Sequence, residues 1–329
     1  MSKNVERLKV AVVMGGFSAE REISLLSGAH VCEHLDPLKF EVFRIDVHKS
    51  SWDVLIDERR IPLDRHDFSF SLDEKRIHFD VVFNAIHGTP GEDGVLAAYF
   101  ELLGIKQTAS DHYASALSFN KRDLLLIAQF LEIPVAKSFA VTKGYPINLH
   151  AILQAITLPV FVKANRSGSS FGIEKISAPE DLLAAIDRVS EIDKEMLIEE
   201  ALIGPEITVG VIKLKDELVA LPVTLIETEN PFFDFEAKYL GASREITPAP
   251  LPKAPIDLAK EWAVKLHKHL HLRGVSRSEF ILVNGIPHLL EINTTPGLTK
   301  QSIIPQQIKA AGLTLAELFE TMIEQALND

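Results

Sequence analysis

Short apolar runs followed by turns recur through the first third of the chain. Residues 8–14 (LKVAVVM) are typical of a strand buried on both faces, and a pair of glycines follows at once. Similar runs at 41–47 and 80–86 each lead toward a helical or loop segment. We therefore predict an open parallel α/β sheet up to about residue 117. Ligands bind beyond the carboxyl ends of such strands, where the glycine turns fall.

A helix is predicted directly after the first glycine turn. Ser18 can cap its amino end, and Ile23, Leu26 and Val31 recur at near-helical spacing up to Leu35.

The pattern changes near residue 118. The predicted helices cover 119–131 and 179–192, the strands cover 136–141, 159–164, 173–176 and 195–201, and a glycine-serine loop covers 165–172. Long strands begin near 206, followed by an irregular stretch at 228–252, a helix at 256–272, a hairpin and a last helix. The predicted domains are 1–117, 118–205 and 206–329.

Residues 277–293 (RSEFILVNGIPHLLEIN) are predicted to form a hairpin, and its turn decides which side chains share a face. A two-residue turn, Asn284-Gly285, would place Glu279 and Glu291 on opposite faces, whereas a three-residue turn that includes Val283 would place them on one face. We favour the three-residue turn because it groups Phe280, Leu282, Leu290 and Ile292 on a core face. It also sets Arg277 across from Glu291, with Asn293 on the same polar face.

Two carboxylates and an amide oxygen on that polar face would suit Mg²⁺, which prefers hard oxygen ligands and bridges to phosphates. A solvated face with a surface ion pair is the alternative.

Composition limits the classes of function. The chain has 329 residues, 47% of them hydrophobic, and a formal charge of -12 without a basic block, so we expect no nucleic-acid partner. No apolar run reaches the roughly 20 residues of a membrane helix, and the amino terminus lacks the apolar stretch of a signal peptide, so we predict a cytoplasmic protein with no membrane partner. The only cysteine, Cys32, is expected in the core.

Isolated motifs are weaker. The 165–172 loop follows a strand that carries Lys163, and its small residues would let backbone N–H groups approach phosphate oxygens; a plain hairpin loop is the alternative. There is no G-x-x-x-x-G-K-[ST] motif, and the twelve histidines show neither H-E-x-x-H nor a close metal spacing. Only His87, between an apolar strand and a glycine turn, suggests a site.

The order of the motifs is more specific than any one of them. The chain carries GGFSAEREISLLSG (15–28), HGTPGEDG (87–94), KANRSGSSFG (163–172), EEALIGPEITVGV (199–211), DFEAKY (234–239), RSEF (277–280) and LLEINTTPGLTKQS (289–302). In this order it resembles the D-alanine–D-alanine ligases of the ATP-grasp superfamily. The resemblance implies an N-terminal open parallel α/β domain followed by two α+β domains that clamp ATP.

The resemblance also implies the ligands and the residues that hold them. The expected ligands are ATP, two Mg²⁺ ions that Mn²⁺ can replace, and two molecules of D-alanine. The expected oligomeric state is a homodimer. The nucleotide site would comprise Lys121, Lys163, Ser170, Glu199, Leu202, Glu206 and Lys238. The lysines would contact phosphates, with Lys238 at the transferring group, and Glu199 and Glu206 would hold the adenine amino group and the ribose. Glu279, Glu291 and Asn293 would bind the metal.

The remaining implied residues act on the amino acids. Glu20 would pair with the first ammonium, His87 would lie near its carboxylate, and Ser302 would bind the second carboxylate. Arg277 and the N–H of Gly297 would stabilise the tetrahedral oxyanion. Ser169, Tyr239 and Glu20 would form a hydrogen-bonded link that closes the 228–245 loop over the site.

The sequence leaves three rivals: a sister ligase that forms a D-alanine–D-lactate ester, a non-catalytic nucleotide-binding protein on the same fold, and an ATP-grasp ligase for an unrelated acid. Tyr239 argues against the ester. The chain departs from the family pattern at Glu279, where Asp is usual, at Ser167, often Glu, and at Asn120, usually Asp.

Overall fold

The computed structural model describes residues 7–168, 171–228 and 243–328. Four predicted site residues lie outside these ranges, together with most of the 228–245 loop: Ser169, Ser170, Lys238 and Tyr239.

The first sheet has parallel strands at its centre. The strands of this part of the chain are β1 (Leu8–Gly15), β2 (Phe40–Val47), β3 (Trp52–Ile56), β4 (Arg59–Pro62), β5 (Phe70–Leu72), β6 (Lys75–Ile77) and β7 (Val81–Asn84). The order is β4-β3-β2-β1-β7, with β5 and β6 in a separate hairpin. The three predicted strands are parallel, since β2 and β7 both run parallel to β1, and the antiparallel strands β3 and β4 extend the sheet at one edge.

The sheet is buried on both faces, as the apolar run predicted. Val10 and Val12 belong to one core cluster, and Ala11 and Val13 to another. The first of these cores also contains Phe319, near the end of the chain.

Helix α1 (Arg21–His34) differs in detail from its prediction. Ser18 lies outside it, where its hydroxyl accepts a bond from the N–H of Glu20 and donates to the carbonyl of His87. Leu26 is 59% exposed, because small residues such as Ser24 and Gly28 form the buried face.

The same helix brings three potential metal ligands together. One ligand atom from each of His30, Glu33 and His34 lies within 4.8 Å of the others. The prediction that no histidines have a close metal spacing is therefore wrong.

The second sheet follows three helices, α2 (Val95–Leu103), α3 (His112–Phe119) and α4 (Lys121–Phe130). Its strands and covering helices are β8 (Ser138–Thr142), α5 (Leu149–Ala155), β9 (Val160–Ala164), β10 (Ile173–Ile176), a 3-10 turn (Pro179–Asp181), α6 (Leu182–Val189) and β11 (Glu195–Glu200). The strand order is β10-β9-β11-β8. Asn120 separates α3 from α4 and caps α4, since its side chain accepts the N–H of Asp123. The helix predicted at 119–131 therefore starts only after this cap.

The third sheet contains the predicted hairpin. The elements of this part are β12 (Glu206–Leu214), β13 (Glu217–Ala220), β14 (Thr224–Thr228), β15 (Ser243–Ile246), α7 (Lys253–His269), β16 (Ser276–Val283), β17 (Ile286–Asn293), α8 (Ile303–Ala310) and α9 (Leu315–Asn328). The main path is β15-β14-β12-β16-β17, and β13 pairs with β12. Strand β15 lies in the stretch predicted to be irregular, and the predicted last helix is two helices.

The end of the chain returns to the first sheet. Phe319 on α9 contacts Phe83 on β7, with ring centroids 5.4 Å apart. The first and third sheets thus share a core, and the domain boundaries near 117 and 205 stay a prediction. Every helix in the described ranges is too short or too polar to cross a bilayer.

Candidate active site

The hairpin turns on two residues. Val283 pairs with Ile286, and both Asn284 (φ 52°) and Gly285 (φ 81°) have left-handed backbone, as a tight hairpin turn of the type I′ class requires. The predicted three-residue turn is therefore wrong. By itself this turn would put Glu279 and Glu291 on opposite faces.

A β-bulge restores the shared face. The register shifts by one residue between Glu279 and Phe280, so Glu279 lies opposite Glu291 and Arg277 lies opposite Asn293 instead of Glu291. Because of the bulge, Leu289 takes the core position that was predicted for Leu290. Leu289 is buried in the core, and Leu290 lines the cavity beside the carboxylates. The prediction that Leu290 is a core residue is wrong for that reason.

The polar face of the hairpin is hydrogen-bonded, and it is buried at Arg277 and Glu279 and half-buried at Glu291 and Asn293. Arg277 Nη2 donates to Glu279 Oε1, and Asn293 Nδ2 donates to the same oxygen at 3.1 Å. The side chains of Arg277 and Glu279 are only 11% and 3% exposed. Two carboxylates and an amide, whose oxygen can be turned inward by a half rotation, are a donor set that fits Mg²⁺. This burial excludes the solvated-face alternative for Arg277 and Glu279.

A cavity of about 710 Å³ lies between the second and third sheets. It falls in the size range of small-molecule and cofactor sites. Seven predicted residues line it: Lys121, Lys163, Glu199, Leu202, Glu206, Glu279 and Glu291.

Two lysines, the buried Lys121 and the half-buried Lys163, line this cavity and are paired with carboxylates. Lys163 Nζ lies 2.5 Å from Glu199 Oε2, with side-chain exposures of 12% and 3%. Lys121 Nζ donates to the carbonyl of Ser167 at 2.7 Å and lies 3.1 Å from Glu291 Oε2. The two cations are thus aimed at the same volume as the acidic hairpin, from the other sheet and from α4.

A second cavity, of about 540 Å³, contains Glu20. Ser167 lines both cavities, so the glycine-serine loop separates them. A Cβ on Gly168 would lie 2.8 Å from Glu20 Oε2, so the loop passes close to this carboxylate, and a larger residue at position 168 would displace the Glu20 side chain.

His87 is held at both ring nitrogens. Nε2 lies 2.8 Å from Ser27 Oγ and Nδ1 lies 2.7 Å from the carbonyl of Thr295. Burial lowers the pKa of this imidazole. A carbonyl only accepts, so the neutral ring carries its proton on Nδ1 and can accept at Nε2.

Gly297 and Ser302 lie together at the start of α8. A Cβ on Gly297 would meet Ser302 Oγ at 2.7 Å, which explains glycine at that position. Ser302 Oγ accepts the N–H of Thr299 at 3.1 Å. Ser27 Oγ, already bonded to His87, also accepts the N–H of Leu298 at 3.2 Å, which ties this segment to α1.

Glu92 is a site residue to which sequence reasoning gave no role. Its two oxygens accept the N–H of Gly88 at 2.7 Å and the N–H of Thr295 at 3.1 Å. Burial, with the charge of Glu20 as a smaller cause, raises the pKa of Glu92 to about 8. The carboxylate bridges the 87–94 turn to the 294–298 segment. The available signal was an acidic residue inside a glycine turn.

The raised pKa of Glu92 predicts a pH dependence of stability. The unfolded carboxyl has a pKa of about 4.5, so between about pH 4.5 and 8 the folded state binds more protons, and stability falls as pH rises. We expect Glu92→Gln, which cannot ionise, to flatten this decline. Urea midpoints at several pH values measure it, and parallel declines in both proteins would contradict the assignment.

The comparisons with known proteins cover nearly the whole chain. Family models described as D-ala D-ala ligase N-terminus and D-ala D-ala ligase C-terminus match residues 9–110 and 127–324. The D-alanine–D-alanine ligase of Flavobacterium johnsoniae is 48% identical over 320 residues, 97% of this chain and 99% of that protein.

Solved structures agree. D-alanyl-alanine synthetase A from Vibrio cholerae has a TM-score of 0.89 at 28% identity, covering 98% of this chain and 99% of that one. The Bacillus anthracis D-alanine–D-alanine ligase complexed with ATP has a TM-score of 0.80 at 26% identity, with 98% of each chain covered. The ATP-grasp fold predicted from the motifs is confirmed, and the chain belongs to the D-alanine–D-alanine ligase family.

Proposed function

We propose that this protein ligates two D-alanine molecules in the two adjoining cavities, with conversion of ATP to ADP and phosphate and through an acyl phosphate, giving the dipeptide for peptidoglycan precursor synthesis. The observation that carries the proposal is the convergence of Lys121, Lys163 and the Glu279–Glu291 pair on one cavity that adjoins the Glu20 cavity across a shared loop. D-alanine–D-alanine ligases bind ATP and D-alanine.

The larger cavity is the nucleotide site. When ATP is bound, the ammonium groups of Lys121 and Lys163 donate hydrogen bonds to phosphate oxygens. These contacts replace their present carboxylate and carbonyl partners. Glu199 and Glu206 then accept from the adenine amino group and the ribose hydroxyls, while Leu202 contributes apolar surface. Ser170 and Lys238, outside the described residues, complete the phosphate contacts.

Glu279, Glu291 and Asn293 would hold two Mg²⁺ ions, or Mn²⁺ in their place. When bound, such ions would neutralise the negative charge of the phosphates during the transfer. Arg277 donates a hydrogen bond to Glu279 and so orients this proposed metal-binding carboxylate.

The smaller cavity receives the first D-alanine. Glu20, only 7% exposed, pairs with its ammonium, and His87 lies near its carboxylate. Ser302 binds the carboxylate of the second D-alanine. Ser169 and Tyr239, which lie outside the described residues, are proposed to link to Glu20 and to close the 228–245 loop, which would keep water from the acyl phosphate.

The chemistry explains why such groups are needed. The first carboxylate attacks the γ-phosphate, releasing ADP, and the resulting acyl phosphate has a good leaving group. The neutral amine of the second D-alanine then attacks the acyl carbon, phosphate departs with the electron pair of the broken C–O bond, and the nitrogen gives up one proton as the amide forms. Arg277 and the N–H of Gly297 stabilise the tetrahedral oxyanion that exists after the amine has attacked and before phosphate departs.

We further propose that the protein acts in the cytoplasm as a homodimer, and that its domains divide near residues 117 and 205.

The test of the proposal is phosphate release from ATP and Mg²⁺ with D-alanine, with L-alanine, or with D-alanine plus D-lactate, each product being identified by mass. Release that requires D-alanine and yields the dipeptide supports the proposal. Phosphate release that yields an ester supports the sister ligase. Tight ATP binding without phosphate release from any of these acids supports the non-catalytic rival or a ligase for an unrelated acid.

Glu291→Gln is expected to raise the Mg²⁺ concentration needed for half-maximal activity by about 10-fold or more, since a charged ligand becomes a neutral one. The matched control is Glu200→Gln, a carboxylate that lines the same cavity outside the hairpin. An unaltered Mg²⁺ titration of Glu291→Gln would reject the metal assignment.

A further inference from the structure

The group formed by His30, Glu33 and His34 lies on α1 and belongs to neither cavity. Residues three and four apart share one face of a helix, so the three side chains project on the same side. One ligand atom from each lies within 4.8 Å of the others, close enough for one ion to bridge them. Two histidines at i and i+4 are also the spacing of helical zinc sites.

Both imidazoles are oriented by bonds at the same nitrogen. His30 Nδ1 lies 2.6 Å from the carbonyl of Leu298, and His34 Nδ1 lies 2.8 Å from the carbonyl of His30. Because a carbonyl only accepts, each neutral ring carries its proton on Nδ1 and its lone pair on Nε2. A backbone carbonyl on the second nitrogen is the usual outer-shell partner of a metal-binding histidine.

The neighbours hold the rings in place and leave the group open to solvent. The rings of His30 and His34 pack edge to face, with their centroids 4.4 Å apart, and the ring of His34 also packs against Phe319 on α9. Both histidines are half-buried, while Glu33 is exposed, so an ion can enter. Cys32, on the same helix, packs against the core.

We propose that His30, Glu33 and His34 form a binding site for a borderline divalent cation of the Zn²⁺ class. Two imidazole nitrogens and one carboxylate oxygen are the ligand set of open zinc sites, in which water completes the coordination. Imidazole suits Zn²⁺, whereas Mg²⁺ prefers oxygen, so this site differs in metal preference from the acidic hairpin. One hydrogen bond connects the site to the 294–298 segment, since His30 Nδ1 donates to the carbonyl of Leu298, next to Gly297.

The test is a Zn²⁺ titration of the full chain against a chromophoric chelator, with excess Mg²⁺ to occupy the oxygen ligands of the hairpin. Wild-type protein is expected to bind one equivalent of Zn²⁺. His34→Ala is expected to weaken this binding by about 100-fold, and Glu33→Gln, at an exposed position that costs no core packing, by about 10-fold.

Two variants serve as controls. His48→Ala removes an exposed histidine bonded to Ser50, and it should leave the affinity unchanged. Glu291→Gln should also bind one equivalent of Zn²⁺, since this substitution alters only the hairpin. The proposal is overturned if wild-type protein binds no zinc in the presence of Mg²⁺, if His34→Ala binds as tightly as wild type, or if Glu291→Gln alone abolishes binding.

Discussion

Arg277→Ala is expected to lower kcat by about 10²–10³-fold while the affinity for ATP changes little. Arg277 is the buried cation of the acidic hairpin, and in the proposed reaction it donates to the oxyanion that forms when the amine attacks. The effect should therefore fall on the chemical step. Steady-state rates with D-alanine and the equilibrium binding of a non-hydrolysable ATP analogue measure the two quantities separately.

The matched control is Arg188→Ala, because Arg188 forms an exposed ion pair with Glu174 on the second sheet. Its activity should stay at the wild-type level. Removing Arg277 also leaves the buried carboxylate of Glu279 without its guanidinium, so urea unfolding must verify that the variant is folded. Partial rescue of kcat by free guanidinium, far below denaturing concentrations, is expected. An unchanged kcat would remove Arg277 from the mechanism.

Lys163→Met is expected to have the largest combined effect on stability and activity. Lys163 and Glu199 form a buried pair, and removing one partner of such a pair costs about 3–5 kcal/mol because the other charge stays buried. The same substitution removes a proposed phosphate contact, so the affinity for ATP and kcat should both fall. Urea unfolding and nucleotide titration measure the two losses.

The double variant Lys163→Met with Glu199→Gln separates the two losses. Neutralising Glu199 removes the uncompensated charge, so most of the stability should return. Turnover should stay low, since the phosphate contact is still missing. Full recovery of turnover in the double variant would show that Lys163 acts only by balancing Glu199.

Sequence reasoning succeeded where one physical requirement dominated. The apolar run of β1 has no polar position at its centre and is followed at once by two glycines, which favours a short strand covered on both faces, and Val10 and Ala11 do belong to different cores. The cavity residues were found through motif order, because no single lysine or glutamate carries enough signal by itself.

The hairpin shows where local pattern fails. Asn284 and Gly285 both tolerate left-handed backbone, so the turn needs two residues instead of three. Leu289 and Leu290 are equally apolar, and nothing in their sequence says which one faces the core. The bulge that decides this was therefore invisible, although the predicted shared face of Glu279 and Glu291 is confirmed.

Helix α1 shows a second kind of failure, in which close packing selects small residues. A Cβ on Gly28 would lie 2.7 Å from the Met14 side chain, so the helix approaches β1 too closely for large residues. Its buried face is consequently poor in large apolar residues, and a search for hydrophobic periodicity assigned Leu26 to the wrong side. Glu92 was missed because its role depends on Thr295, which is distant in sequence.

The acyl-phosphate mechanism can be tested with D-alanine labelled with ¹⁸O in its carboxylate. If the carboxylate attacks the γ-phosphate and phosphate later leaves the acyl carbon, one labelled oxygen passes from D-alanine to phosphate for each dipeptide formed. Mass analysis of the released phosphate should show this label. Dipeptide formation with unlabelled phosphate would contradict the acyl-phosphate mechanism and the site roles that depend on it.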